Sequence, residues 1–204
     1  MNGQLYVISA PSGAGKTSLV SALVSASPEI SVSISHTTRV RRPGENDGVN
    51  YHFVDQVEFD RMVTADEFLE NAHVFDHSYG TSNTAVETLL KTGMDVVLEI
   101  DWQGARQIRE HRPDCLSIFI LPPSHDELEQ RLKRRGEDDD AIVERRMRDA
   151  VAEMSHYKDF DFIVVNDDFH TALVDIQSII RAKRLRSDIQ QVEISALLKD
   201  LLEQ

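Results

Sequence analysis

Residues 5–26 read "LYVISAPSGAGKTSLVSALVSA". The first five residues form a short apolar, β-branched run, and the stretch from Lys16 repeats apolar residues at helical spacing. Between the two lies "APSGAGKT", residues 10–17. It fits the phosphate-loop pattern except that Ala10 stands where the strict form has glycine. Gly13 and Gly15 let backbone N–H groups converge on phosphate oxygens, and the helix starting near Lys16 offers its positive dipole end. Lys16 can reach the β- and γ-phosphates, and the Thr17 hydroxyl is placed for Mg²⁺. Ala10, Pro11, Ser12, Gly13, Ala14, Gly15, Lys16, Thr17 and Ser18 are therefore the candidate nucleotide-binding residues. Alanine at position 10 weakens the match little, because it tolerates ordinary backbone angles.

Outward from this loop, short apolar runs alternate with helical patterns: "DVVLEI" with "WQGARQIREH", "LSIFIL" with "SHDELEQRLKRR", and "FIVV" with "FHTALVDIQSIIRAKRLR". Strands so continuously apolar are buried on both faces, which predicts an α/β fold with a parallel sheet core flanked by helices. With 204 residues, the chain fits one domain carrying inserted parts. No stretch is apolar enough to span a bilayer, and the first residues lack the basic and apolar segments of a secretory signal. A single cysteine, Cys115, rules out an internal disulfide and suits a reducing compartment, so a cytoplasmic protein is expected. The formal net charge of −13 argues against nucleic acid as a partner, since such binding relies on cationic surface. Arg39, Arg41 and Arg42 form one basic cluster. Arg131, Lys133, Arg134, Arg135, Arg145, Arg146 and Arg148 form another. Beside a phosphate loop, two such clusters point to anion binding.

Two stretches break the pattern. From about residue 35 to 83 the chain turns polar, with Pro43, Gly44 and Gly48, a short strand at Tyr51 to Val54, a helix over "QVEFDRMVTADEF" and an extended "LENAHVF". This reads as an insertion in the sheet domain. In "KRRGEDDDAIVERRMRDA" Gly136 and the acidic run interrupt a helix that resumes near Ala141. A basic, Gly-hinged segment of this kind suits a lid. The predicted divisions are a core at 1–34, 84–133 and 147–204, the insertion at 35–83 and the lid at 134–146.

The insertion carries a second candidate site. Arg39 and Arg42 stand beside hydroxyls and ahead of Tyr51, and arginine forks match phosphate oxygens, so this segment can hold a monophosphate. Farther on come Glu70, Tyr79 and Thr81. Carboxylates in a partly buried pocket call for donors, and guanine offers a ring N–H beside an exocyclic amine; adenine lacks that pair.

The motifs "SGAGKT", "SHTTRVRRPGENDGVNYHF", "SYGTS", "EIDWQGA", "FILPPS", "RLKRRG" and "VNDD", in this order, resemble the guanylate kinase family over nearly the whole chain. The resemblance implies a P-loop nucleoside monophosphate kinase that phosphorylates GMP, and dGMP, using ATP and Mg²⁺. It implies Arg39, Arg42, Tyr51 and Tyr79 at the GMP phosphate, and Ser35, Glu70, Thr81 and Asp101 at guanine. Lys16 and Thr17 serve ATP and Mg²⁺, Arg135 and Arg146 close on the transferring phosphoryl group, and Asn166 lies by the adenine. Lys16, Arg39, Arg135 and Arg146 are thus the expected catalytic groups, because phosphoryl transfer needs alignment and charge neutralisation rather than a protein nucleophile. Two departures stand out. Family members commonly have aspartate where this chain has Glu99, and often two tyrosines where it has Ser78-Tyr79.

The alternative is a guanylate-kinase-like interaction module that has lost catalysis; the presence of Lys16, Thr17, Arg135 and Arg146 argues against it. Trp102 and the run from Ile118 to Leu121 read as packing residues, and the histidines show no zinc spacing. Ile189, Val192, Leu197, Leu198, Leu201 and Leu202 recur at helical spacing. That stretch is expected to fold back on its own domain, with contact to another subunit, a homo-oligomer, as the alternative.

Overall fold

The computed structural model describes residues 2–74, 76–134 and 140–202. Its core is a five-stranded, wholly parallel sheet in the order β2 (Ile30–Val32), β7 (Asp95–Glu99), β1 (Leu5–Ser9), β8 (Leu116–Leu121), β9 (Phe162–Val165). Alternate side chains of these strands serve opposite faces. Tyr6, Ile8, Val97, Ile118 and Ile120 pack with Leu19, Val20 and Leu23 of α1 (Lys16–Ala26) and with Ala172, Ile176 and Ile180 of α7 (Phe169–Arg184). On the other face Leu5, Val7, Val96 and Leu98 meet Val86 and Leu90 of α3 (Asn83–Lys91) and Ala105 and Ile108 of α4 (Trp102–His111). Covering both faces explains why these strands read as unbroken apolar runs. Edge strand β9 buries only Val164.

A second, four-stranded sheet lies within the 35–83 segment, in the order β4 (His52–Phe53), β3 (His36–Thr37), β6 (His77–Ser82), β5 (Phe68–Val74). Helix α2 (Gln56–Thr64), capped by the Asp55 carboxylate, buries Phe59 and Met62 against Phe68. The basic stretch forms α5 (His125–Arg134) and α6 (Asp140–Met154). The centre of the predicted lid, including Arg135 and Gly136, lies outside the described residues. Among those described, no helix is long and apolar enough to cross a membrane.

Several expectations are corrected. The helix of the 35–83 segment stops at Thr64, because Asp66 adopts a left-handed backbone with φ 54° that no helix continues through. The strand expected at 51–54 shrinks to two residues, with Tyr51 in an isolated bridge to Asp47. The C-terminal stretch forms α8 (Ser187–Glu193) and α9 (Ser195–Leu202), and neither buries a residue. Val192, Leu197, Leu201 and Leu202 are exposed. The apolar spacing there makes helices but does not seat them on the core.

Ile118 is fully buried between the sheet and its covering helices. Ile118→Ala removes three carbons from a site with no room to collapse and is expected to cost about 2–5 kcal/mol. Urea unfolding followed by circular dichroism checks this, and an unchanged midpoint would contradict the packing described.

Candidate active site

The loop after β1 leaves the carboxyl edge of the sheet and turns into α1, the position where open α/β sheets bind ligands. Gly13 and Gly15 have φ 91° and 95°, and Gly15 is the left-handed N-cap of α1. A side chain at Gly13 would meet Leu128 Cδ1 at 2.8 Å. Both glycines are therefore fixed by backbone angle and by close packing. Lys16 Nζ donates to the Ile100 carbonyl at 3.0 Å, and Thr17 Oγ1 donates to Glu99 Oε1 at 2.5 Å. The loop is thereby tied to the end of the neighbouring strand β7. Ser18 lies exposed on α1, and Ala14 is fully buried.

One cleft is lined by Ala10 to Gly13 and Gly15 to Thr17 of the loop, and by Ser35, Arg42, Tyr51, Glu70, Tyr79, Glu99 and Asp101. Residues from both candidate anion sites thus share a single cavity. Ile100, beside Asp101 in "EIDWQGA", also lines it, as do Ala72, Val74 and Glu153, which no motif carries.

Glu70 is 3% exposed, on β5 opposite Thr81 of β6. Thr81 Oγ1 donates to Glu70 Oε1 at 2.6 Å and lies 3.3 Å from Ser35 Oγ. Burial pushes the Glu70 carboxyl up to about 7; the Thr81 hydroxyl opposes the shift and the Asp101 charge adds to it. Thr81 is fully buried and does not line the cleft, so its place is behind the carboxylate. Asp101 N-caps α4, its Oδ1 accepting from the Gly104 N–H at 2.9 Å and its Oδ2 from Gln103 Nε2 at 3.2 Å. The rings of Tyr51 and Tyr79 meet edge to face, with centroids 5.9 Å apart. Burial, and then the Glu99 carboxylate, push the Tyr51 hydroxyl up to about 12. It stays protonated and can donate.

Arg39 sits beside this pair, its guanidinium 5.4 Å from the Tyr51 ring centre, and Nη2 donates to Glu45 Oε1 at 2.7 Å. Arg42, not Arg39, lines the cleft. Asn166 is buried behind the phosphate loop, donating through Nδ2 to the Ala14 carbonyl at 2.7 Å. That bond braces the loop. Arg135 lies outside the described residues. Arg146 reaches the loop, its Nη2 donating to Ser12 Oγ at 3.3 Å, while the Ser12 N–H donates to Glu153 Oε2 at 3.0 Å. Arg146 and Glu153 stand seven residues apart on α6, hence on one face. That spacing is the signal by which Glu153 could have been found. Burial raises its carboxyl above the usual range.

Lys16 and Arg42 stand among the carboxylates of Glu70, Glu99, Asp101 and Glu153. Phosphate groups entering so acidic a cleft need a counter-cation. Thr17 and Glu99 supply adjacent hard oxygen atoms, a donor set that fits Mg²⁺ held jointly with phosphates and water.

The family described as Guanylate kinase matches residues 2–183. The guanylate kinase of Alkalilimnicola ehrlichii is 57% identical over 202 residues, spanning 99% of this chain and 100% of the relative. That of Methylococcus capsulatus is 56% identical over 200 residues, spanning 98% of each. The crystal structure of guanylate kinase from Anaplasma phagocytophilum superposes with a TM-score of 0.79 at 34% identity, over 98% of this chain and 95% of that one. The likeness therefore takes in both sheets and the cleft between loop and insertion, and the chain belongs to the guanylate kinase family.

Proposed function

We propose that this protein transfers the γ-phosphoryl group of ATP to GMP, and to dGMP, giving ADP and the nucleoside diphosphate. The observation that carries the reading is the buried Glu70 carboxylate in the same cleft as the phosphate loop. Its oxygens suit the ring N–H and amine of guanine, and Asp101 adds a further acceptor. Arg42, Tyr51 and Tyr79 hold the GMP phosphate, and Arg39, set by Glu45, supports them from beside Tyr51. Thr81 fixes the carboxylate from behind, and Ser35, which lines the cleft, supports Thr81 and offers its hydroxyl to guanine. An oxygen of that phosphate attacks the γ-phosphorus of ATP in line, and the bond to the β-phosphate bridging oxygen breaks.

The loop N–H groups and Lys16 take up charge on the β- and γ-phosphates, and Arg146, with Arg135, neutralises the transferring group. Thr17 and Glu99 would hold Mg²⁺, which would offset the charge of the phosphates. Glu99 reaches one methylene farther than the aspartate common in the family. Asn166 keeps the loop in shape. The segments 35–83 and 134–146 act as the acceptor-binding part and the lid, and closure excludes water as a competing acceptor. The acidic charge and lone cysteine support a cytoplasmic enzyme of small-molecule substrates, with neither nucleic acid nor a membrane as partner. Nothing favours an inactive interaction module, because Lys16, Thr17 and Arg146 all stand at the loop.

Two substitutions test this reading. Lys16→Met is expected to lower kcat on the order of 100- to 1,000-fold or more while GMP affinity hardly changes. A coupled ADP-release assay with a GMP titration checks both, and near wild-type turnover would overturn the loop assignment. Glu70→Gln leaves a guanine donor facing an amide N–H. GMP is expected to bind about ten- to a hundredfold more weakly, with ATP affinity unchanged and the preference over AMP reduced. Unaltered GMP affinity by calorimetry would remove Glu70 from the guanine pocket.

A further inference from the structure

Glu70 belongs to an edge strand, at the point where its ladder resumes after an irregularity. Strand β5 pairs on one side with β6, and the register shifts between Phe68 and Glu70. What holds the strand on its other side is α4 of the core. Gln107 Oε1 accepts from the Asn71 N–H at 3.1 Å, and Gln107 Nε2 donates to the Asn71 carbonyl at 2.7 Å. The side-chain amide thus makes the two bonds that a neighbouring strand would make, at the residue next to Glu70.

One step back along the same i, i+3 ridge stands Gly104. A Cβ there would lie 3.0 Å from Glu70 Cδ and inside contact distance of Oε2. It would also lie 3.3 Å from Ile100 Cδ1. Glycine is a poorer helix former than alanine, so at the third residue of α4 its use is close approach. The atoms that must give way are those of the Glu70 carboxylate.

We propose that Gly104 and Gln107 are specificity-positioning residues: from the core helix they set where the Glu70 carboxylate stands, and thereby the preference for a purine bearing a 2-amino group. The inference rests on the reading of Glu70 as the guanine acceptor. Gly104 leaves the space that the Oε2 side of the carboxylate occupies, and Gln107 fixes the backbone from which the side chain departs. The pocket is therefore shared between the insertion and the core.

The experiment compares GMP with IMP, which keeps the ring N–H and lacks the amine, in Gly104→Ala, Gln107→Met and Glu70→Gln. Affinities for GMP, IMP and ATP, kcat and KM, and the melting temperature are measured for each. Gly104→Ala and Gln107→Met are expected to weaken GMP about five- to thirtyfold, a misplaced carboxylate weakening a hydrogen bond to a charged group without abolishing it. The GMP-to-IMP ratio should fall, the loss should appear in the KM for GMP, and kcat and ATP affinity should stay within about twofold of wild type. A lowered melting temperature with an unchanged GMP-to-IMP ratio in Gln107→Met would overturn the proposal and leave α4 a structural support. If Gly104→Ala does not fold, Gln107→Met carries the test alone. Should Glu70→Gln itself leave the ratio unchanged, the guanine reading fails. Should it lower the ratio while the α4 variants do not, only the inference from α4 fails.

Discussion

A carboxylate almost entirely out of water, with the Thr81 hydroxyl donating to one of its oxygens, is the feature to which the site is fitted. Removing a carboxylate from water disfavours its charged form, and Glu70 shows it by a carboxyl raised to about 7. A group whose folded-state value is raised lends stability below its unfolded value and loses it as pH rises through about 7. Near neutrality and above, Glu70 therefore weighs against the fold. Functional sites hold such groups because a ligand satisfies them. Two donors from guanine would do so, and adenine would not.

The surroundings of Glu70 follow from holding that charge in place. Thr81 meets it from β6, Gly104 leaves room for it, and Gln107 grips its strand. On the opposite side, the loop between β1 and α1 is held as firmly. Lys16 and Thr17 are tied to the end of β7, and Asn166 supports the loop from behind. Arg146 and Glu153 bring one face of α6 onto Ser12. A rigid loop, a fixed carboxylate and a helix spanning the loop are the parts needed to align two nucleotides.

The core was legible because burial on both faces leaves a strong mark. The runs at Leu5–Ser9, Leu116–Leu121 and Phe162–Val165 became strands with those bounds, and α1 begins at Lys16 as the loop pattern requires. Strand β6, "HSYGTS", left no such mark. Its residues are polar or small, and pairing with β5 rather than propensity makes it extended. The cleft residues carried by motifs, from Lys16 to Asp101, were legible for the same reason the loop was. Glu153, Gly104 and Gln107 were not, because each acts through a partner far away in sequence: Ser12, Glu70 and Asn71. Asn166 and Thr81 were read as site residues, and neither lines this cleft. Sequence spacing cannot separate a residue that lines a pocket from one that supports it.

The most direct measurement is the titration of the Glu70 carboxyl itself, followed by carbon NMR with labelled glutamate and assigned against Glu70→Gln. In the free protein the midpoint is expected at about 7. With saturating GMP it should fall well below that, because two bound donors favour the ionised carboxylate, and AMP should leave it in place. A midpoint in the usual carboxylate range that GMP does not move would contradict a buried guanine-reading carboxylate.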